Sequence, residues 1–194
     1  MKKLLITGFE PFGGESINPS LEAVKALPDK IGEYTLTKLL IPVVFGEAAQ
    51  AVINAAKEVN PDVIISVGLA GGRSAVTPEL VGINLRHARI PDNKGNQPKD
   101  EPINPGGEAA FFSTLPVRKM SEAINRSGVS SQLSYSAGAS VGTAVLYTLL
   151  SYDKGSDTCV GFIHVPYSKE QKKEPNMDIN DVIKALTVAI ENIN

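Results

Sequence analysis

Short apolar runs alternate with segments of helical periodicity along most of the chain. The run 61–67, Pro-Asp-Val-Ile-Ile-Ser-Val, is almost continuously apolar, which is typical of a strand buried on both faces of a sheet. The segment before it, Gly46–Val59, is instead rich in alanine and has the spacing of a helix. Strands that alternate with helices favour an α/β fold with a mainly parallel, twisted sheet.

Asn18-Pro19-Ser20 predicts the start of a helix, because asparagine caps helices and proline suits the first helical position. The segment Ile90–Gly107 carries four prolines and predicts a long irregular excursion, which is usually functional or packed on a neighbour. A second loop, rich in glycine, is predicted at Gly68–Pro78. The remaining predicted strands are Lys3–Thr7, Thr35–Val43, Leu80–Leu85, Gln132–Ser136 and Cys159–Val165, and the remaining predicted helices are Val117–Ile124, Ser140–Ser151 and Ile179–Ile193.

Composition restricts the class of protein. A length of 194 residues fits one domain spanning residues 1–194, and 42% hydrophobic with 21% charged residues is ordinary for a soluble globular protein. A net charge of −2 gives no basic surface for nucleic acid, and no run is long enough to span a membrane. The N-terminal apolar run is too short for a signal peptide, and one cysteine allows no internal disulfide, so the cytoplasm is the expected compartment.

The candidate chemistry centres on His164, near the end of the predicted strand Cys159–Val165, where α/β enzymes present reacting groups. The only cysteine, Cys159, lies five residues earlier on that strand. A strand rises about 3.3 Å per residue and odd offsets point to opposite faces, which places the thiol roughly 16 Å away on the wrong side. The sequence therefore predicts a base without a thiol in reach.

Four segments are unusual enough to compare with a known family. They are Thr7–Gly14 with Asn18-Pro19-Ser20, Val67–Arg73 followed by Glu79, Ala88–Asn93, and Gly161–Tyr167. Their order and spacing resemble pyroglutamyl peptidase I, also called pyrrolidone-carboxylate peptidase, from about residue 3 to the final helix. The resemblance implies a cytoplasmic, cofactor-free cysteine peptidase that removes an N-terminal pyroglutamyl residue from peptides. It also implies a three-layer α/β/α, phosphorylase/hydrolase-like fold and a homo-oligomer, often a tetramer.

The family's Cys-His-Glu triad carries over only in part. His164 matches the base and Glu79 its acidic partner, whereas the nucleophilic cysteine belongs at the position of Gly142. The positions expected to bind substrate are Phe9, Phe12, Asn18, Leu69 and Val141. With one cysteine and two distant histidines, no metal site is expected.

A cysteine at residue 142 would lie in the first turn of a helix, where the helix dipole lowers the pKa of a thiol. No neighbouring hydroxyl group is expected to occupy the position of the missing thiol. Ser140 lies about 200° around the helix, and Thr143 about 100° away. Glycine leaves the helix N-terminus as an anion- or carbonyl-binding site with extra room.

Further departures from the family surround the same region. Leu80 stands where relatives carry an arginine, which predicts the loss of a charge partner for the site, and His87 stands where they carry an aspartate. Three functions remain open: an inactive relative, an active hydrolase that uses water or another nucleophile, and a module that binds a pyroglutamyl end without cleaving it.

Overall fold

The computed structural model describes all 194 residues, which form five α-helices and ten strands. The strands are β1 Lys2–Phe9, β2 Lys30–Ile31, β3 Tyr34–Ile41, β4 Val63–Leu69, β5 Thr77–Pro78, β6 Val81–Ile83, β7 Ala110–Phe112, β8 Cys159–Val165, β9 Tyr167–Ser168 and β10 Asn176–Met177. The helices are α1 Pro19–Ala26, α2 Glu47–Val59, α3 Val117–Arg126, α4 Val141–Tyr152 and α5 Ile179–Glu191, with a 3₁₀ turn at Lys169–Gln171.

A six-stranded sheet in the order β2-β3-β1-β4-β8-β5 organises the fold. The four long strands β3, β1, β4 and β8 run parallel, while the two short edge strands β2 and β5 are antiparallel to their neighbours. Helices α1, α3 and α5 cover one face of the sheet, and α2 and α4 cover the other. The predicted three-layer α/β/α fold with a mainly parallel sheet is therefore confirmed.

Alternation along β4 and β8 divides the core into two apolar clusters. Ile65 and Val165 point to the layer of α1, α3 and α5, whereas Ile64 and Phe162 point to the layer of α2 and α4. Because both faces are covered, these strands read as nearly continuous apolar runs in the sequence. Every side chain that β8 sends to the α2/α4 layer thus lies on the same face as His164.

The predicted helix at Asn18-Pro19-Ser20 is confirmed as α1. The Asn18 side chain accepts a hydrogen bond from the Ser20 amide at 3.0 Å, and Pro19 is the first helical residue. Burial of one helical face against β1 and β4 then holds the helix on the sheet.

The predicted strand Gln132–Ser136 is wrong. This segment makes a single isolated bridge, between Ser134 and Glu79, and another joins the preceding Ser131 to Val76. Its backbone instead follows residues 76–80 through single hydrogen bonds, such as Leu80 N–H to the Ser134 carbonyl at 2.8 Å. The chain bends at Tyr135, directly after the Ser134 bridge, so the pairing does not continue as a ladder.

The structure also changes the bounds of one predicted strand and one predicted loop. The predicted strand Leu80–Leu85 is reduced to β6, which pairs with β7 in a separate two-stranded sheet. The predicted loop Gly68–Pro78 contains the edge strand β5. The irregular excursion Ile90–Gly107 is confirmed, and Asp92 anchors it by accepting the amide hydrogens of Phe45, Lys94 and Asn96. None of the helices combines the length and hydrophobicity needed to cross a bilayer.

Candidate active site

His164 and Glu79 form a buried pair at the carboxyl end of the parallel strands. His164, on β8, lies in register with Gly68 of β4 and Thr77 of β5. Glu79 follows β5 directly, and its amide donates to the Phe162 carbonyl at 2.9 Å, which fixes the backbone beside β8. The His164 Nδ1 atom lies 2.7 Å from Glu79 Oε1, and the two residues are 5% and 0% exposed. The pair that the resemblance implied is thus brought into hydrogen-bonding contact.

Gly142, the second residue of α4, faces the other nitrogen of the same imidazole. A Cβ built on Gly142 would lie 3.3 Å from His164 Nε2. The same Cβ would lie 2.9 Å from Phe162 Cζ, closer than real Cβ contacts, so a side chain here requires the phenyl ring to shift. The histidine therefore points at the one position in the first turn of α4 that carries no side chain.

Phe162 supports this arrangement from within the core. Its ring lies 4.6 Å from the His164 ring, centroid to centroid, and is only 1% exposed. On its other side is Gly68, where an added Cβ would come within 2.8 Å of Phe162 Cζ. The glycine on β4 thus makes room for a ring that packs against the histidine at a tilt of 46°.

Arg73 is a member of the site that the sequence analysis missed. One guanidinium nitrogen donates to Glu79 Oε1 at 2.7 Å and to Thr77 Oγ1 at 2.6 Å. The other donates to the Ser136 carbonyl at 3.0 Å, just before the turn into α4. The loss of an arginine at Leu80 was expected to remove the charge partner of the site, and this expectation is wrong because Arg73 supplies that charge. The sequence shows Arg73 at the end of the glycine-rich segment after β4, but it does not identify Glu79 as its partner.

The charged neighbours of Glu79 outweigh the effect of its burial. Burial alone would raise the pKa of the Glu79 carboxyl group, but the hydrogen bond and charge of His164, with further contributions from Ser134 and Arg73, hold that pKa below its ordinary value. One carboxylate oxygen, Oε2, is buried without a hydrogen-bond partner. Glu79 is therefore ionised at neutral pH, and only Oε1 is shared between the histidine and the arginine.

Cys159 is too far along β8 to contribute to this site. It opens the strand, whereas His164 is the penultimate residue, and its side chain packs against the cluster on the α1/α3/α5 face. Phe162, which packs against His164, belongs to the cluster on the opposite face. The placement predicted from the strand offset is confirmed.

Of the two hydroxyl groups near Gly142, one is held by a backbone carbonyl and the other lies outside the helix on the surface. Thr143 is fully buried and donates to the Ala137 carbonyl at 3.0 Å. Ser140 is the N-cap residue of α4, is exposed, and makes no capping hydrogen bond through its side chain. Residue 142 is the position of this turn whose Cβ would stand beside Nε2.

The expected substrate-binding residues divide into an interior and a more accessible group. Phe9 is 4% exposed and packs with its ring 6.3 Å from that of Phe162. Asn18 is 1% exposed, and its amide nitrogen donates to the Glu10 carbonyl at 3.0 Å, so both ends of its amide are engaged. Phe12 and Leu69 are half-buried, the first in the loop after β1 and the second at the end of β4 beside Val165.

The Val141 side chain lines a groove separate from the buried pair. This groove of about 220 Å³ lies between α2, α4 and the excursion that contains Ile103, and it includes neither His164 nor Glu79. His87 is exposed outside any strand and pairs with Asp100 at 3.0 Å. No three metal-ligating side chains come together anywhere in the structure.

Comparison with known proteins places this geometry in a family. The family model described as pyroglutamyl peptidase matches residues 2–194. The pyrrolidone-carboxylate peptidase of Staphylococcus haemolyticus is 50% identical over 99% of this chain and 93% of its own length, and that of Levilactobacillus brevis is 47% identical over 98% and 97%.

Solved structures agree with the sequence comparisons. Pyroglutamyl peptidase I of Bacillus amyloliquefaciens superimposes with a TM-score of 0.95 at 42% identity, covering 100% of this chain and 97% of that one. The pyrrolidone carboxyl peptidase of Thermococcus litoralis superimposes with a TM-score of 0.94 at 36% identity, covering 100% and 93%. This chain therefore belongs to the pyroglutamyl peptidase family.

Proposed function

We propose that this chain recognises a pyroglutamyl end as its family does but forms no acyl-enzyme, so that peptidase activity is strongly impaired or absent. The observation that carries the proposal is that His164 Nε2 faces the backbone of Gly142, at the place where a side chain would begin. A covalent mechanism needs a nucleophile in hydrogen-bonding reach of the base. Glycine has none to offer.

No other group of the chain takes over as nucleophile. The Cys159 thiol lies at the far end of β8 on the other face, and the Thr143 hydroxyl donates to a backbone carbonyl. Ser140 precedes the helix and is exposed. The impairment thus follows from the absence of a reacting atom.

The retained groups have definite roles in this proposal. Glu79 orients the imidazole through Nδ1 and stabilises it when protonated, while Arg73 holds Glu79 against Thr77 and the Ser136 carbonyl. To the amide hydrogens at the start of α4 we assign the role of oxyanion donors for the carbonyl of the ligand. His164 remains the base, without a thiol whose proton it can remove.

We assign recognition of the pyroglutamyl group to the residues implied by the resemblance. Phe12 and Leu69 are accessible enough to contact the ring of the ligand. Phe9 and Asn18 are buried, so their contribution is to shape the wall and to hold the Phe12 loop at the start of α1. Val141 contributes through its backbone amide, because its side chain lines the groove beside α2. A pyroglutamyl ligand is supported by the relatives, which are pyrrolidone-carboxylate peptidases.

A second candidate is slow hydrolysis in which His164 activates water. The intact hydrogen bond between His164 and Glu79 favours this alternative, since an oriented base is what such a reaction needs. It predicts residual turnover that His164→Ala abolishes, without any covalent adduct. An unchanged rate in that variant would exclude it.

Turnover combined with intact-protein mass spectrometry tests the proposed function. The protein and the Bacillus amyloliquefaciens relative are incubated with a pyroglutamyl anilide, and chromophore release is recorded together with the protein mass. We expect release at least about 10³-fold slower than in the relative and no pyroglutamyl adduct, because a triad without its nucleophile keeps only positioning and oxyanion binding. A comparable rate or a trapped adduct would overturn the proposal.

Cytoplasmic residence and a homo-oligomer belong to the same proposal, since both follow only from the resemblance. Large exposed apolar side chains, among them Phe112 at 70% and Ile90 at 54%, offer surface for subunit contacts. Light scattering coupled to size-exclusion chromatography measures the subunit count. A monomer at micromolar concentration would contradict the oligomer.

A further inference from the structure

Glu15 ends a tight turn that begins at Phe12. The Glu15 amide donates to the Phe12 carbonyl at 3.2 Å. The two residues between them, Gly13 and Gly14, have φ angles of 63° and 81°, in the left-handed region that glycine adopts without strain. The position of Phe12, which we assign to the wall around the pyroglutamyl ring, is therefore coupled to the place where Glu15 is held.

The Glu15 carboxylate is held by the segment that follows β8. Lys173 Nζ donates to Glu15 Oε1, and Gln171 Nε2 donates to Glu15 Oε2 at 3.3 Å. The Glu15 side chain is 18% exposed, against 46% for Lys173. The hydrogen bond from Lys173 keeps the pKa of the Glu15 carboxyl group below its ordinary value, so the group is ionised at neutral pH. Both carboxylate oxygens are thus engaged by residues 156 and 158 positions later in the sequence.

The two partners of this carboxylate have contacts of their own. Gln171 lies in the 3₁₀ turn, and its Oε1 accepts the amide hydrogen of the N-cap residue of that turn at 3.1 Å. The Lys173 ammonium group lies 5.2 Å from the centre of the Tyr167 ring. The Tyr167 hydroxyl packs so closely on Gly71 that a Cβ on Gly71 would come within 2.4 Å of it. The anchor on the β8 side is therefore fixed to the rest of the fold.

These contacts join the segments that follow β1, β4 and β8 at the carboxyl edge of the sheet. Phe12 and Glu15 belong to the first segment, Gly71 to the second, and Tyr167 and Lys173 to the third. Open α/β sheets bind their ligands at this edge, which is also where the buried histidine and its carboxylate partner lie. The ion pair between Glu15 and Lys173 thus connects segments that border the candidate site.

We propose that Glu15 is a positioning residue for ligand recognition: its contacts with the segment after β8 hold the Phe12 turn in the position that contacts the pyroglutamyl ring. The beginning of the turn is held separately, because Asn93 Nδ2 donates to the Pro11 carbonyl at 3.0 Å. Release of Glu15 therefore frees the two glycines and the end of the turn, while its beginning stays attached. This inference rests on the proposed function for the identity of the ligand, whereas the attachment of the turn is independent of it.

Hydrogen–deuterium exchange of the amides from Phe12 to Ser16 tests the attachment of the turn without a ligand. Glu15→Gln removes the charge and keeps the shape of the side chain, so exchange in this turn should become about two- to fivefold faster, as the loss of a partly exposed ion pair allows. Glu33→Gln is the matched control, because Glu33 pairs with Lys2 at 3.2 Å at the opposite edge of the sheet. Unchanged exchange in Glu15→Gln, or equal acceleration in the control, would overturn the inference.

Titration calorimetry with L-pyroglutamamide, an uncharged probe, tests the link to recognition. Glu15→Lys and Lys173→Glu each place like charges opposite one another, so each should weaken binding at least about fivefold. The double variant Glu15→Lys with Lys173→Glu restores an ion pair of reversed polarity and should return the affinity to within about twofold of wild type. A role limited to the packing of either side chain predicts no such recovery. Failure of the folded double variant to recover affinity would therefore overturn the inference.

The outcomes separate this inference from the proposed function. Absence of heat from wild type with the probe at millimolar concentration would overturn recognition of a pyroglutamyl end, and the inference with it. Binding that is unchanged in Glu15→Lys would overturn the inference alone. Rapid anilide turnover or a trapped adduct would overturn the proposed loss of covalent catalysis, while the recovery of affinity in the double variant would still support the role of Glu15.

Discussion

Phe162 packs so closely against Gly142 that a Cβ at residue 142 would lie 2.9 Å from Phe162 Cζ. The first turn of α4 and the ring on β8 therefore share a space that a larger residue 142 would have to open. The contact is with the far end of a side chain, so the ring can move, at some cost in packing around His164.

This contact predicts coupling between residues 142 and 162. Gly142→Ala alone introduces the crowded Cβ, and Phe162→Leu alone leaves a gap in the core. The double variant relieves the crowding, so it should be more stable than the sum of the single changes by about 0.5–3 kcal/mol. Denaturant unfolding of all four proteins gives the coupling free energy. Additive effects within about 0.5 kcal/mol would contradict the contact.

Cys159→Ser should leave every activity of the protein unchanged. The thiol lies at the start of β8 and on the face opposite to His164, so any residual hydrolysis cannot pass through it. The rate of pyroglutamyl anilide hydrolysis in the variant should equal that of the wild type, while His164→Ala serves as the contrasting change at the base. Loss of residual activity in Cys159→Ser would show that the thiol reaches the substrate.

Glu79 should stabilise the fold in a pH-dependent way. Because the pKa of Glu79 is lowered in the folded protein, its contribution is fully present above the ordinary value of 4.5 and is lost as pH falls through the lowered pKa. Glu79→Gln should lower the free energy of unfolding at pH 7 by about 1.5–3 kcal/mol, the range for hydrogen bonds to charged groups. The difference from wild type should shrink as pH falls below 4.5.

Denaturant unfolding between pH 3 and pH 7 measures this effect. Glu101→Gln is the matched control, since Glu101 pairs with Arg86 on the surface with about half of its side chain exposed, 48%. Exposed pairs contribute about 0–1 kcal/mol, so the control should change little. A difference between Glu79→Gln and wild type that grows on acidification would contradict the lowered pKa.

Asn18 should stabilise α1 and the loop that carries Phe12. Its side chain caps the helix through Ser20 and holds the Glu10 carbonyl. Asn18→Ala should lower the free energy of unfolding by about 1–2 kcal/mol, as the loss of an N-cap does. Asn18→Ser keeps a capping oxygen and should lose less. Equal losses in the two variants, measured by thermal or denaturant unfolding, would show that capping is not the main contribution.

The parts of the fold that were predictable are those whose signal is local. The buried strands β4 and β8 follow from apolar runs, and α1 follows from an asparagine cap with proline behind it. Similarly, the odd offset of five residues between Cys159 and His164 places their side chains on opposite faces of the sheet, because both lie on one strand.

The parts that were missed depend on partners distant in the sequence. β6 pairs with β7 across a long excursion, and residues 132–136 approach residues 76–80 without forming a ladder. The role of Arg73 is of the same kind: only the fold brings its guanidinium to Glu79 and to the Ser136 carbonyl. A sequence pattern does not encode which long side chain reaches a buried carboxylate.

The turnover of Gly142→Cys, measured beside wild type on a pyroglutamyl anilide, tests the loss of covalent catalysis most directly. A thiol on Cβ at residue 142 would stand next to His164 Nε2, which could then remove its proton. Proton transfer by a positioned base alone contributes at least about 10²-fold, so activity should rise by at least that factor over wild type. The gain should stay below the roughly 10⁶-fold effect of a nucleophile in an intact triad, because Phe162 crowds the new side chain. Gly142→Ala and the double variant Gly142→Cys with His164→Ala should both remain at the wild-type level or below. A wild type already as active as Gly142→Cys would contradict the assignment of residue 142 as the missing nucleophile.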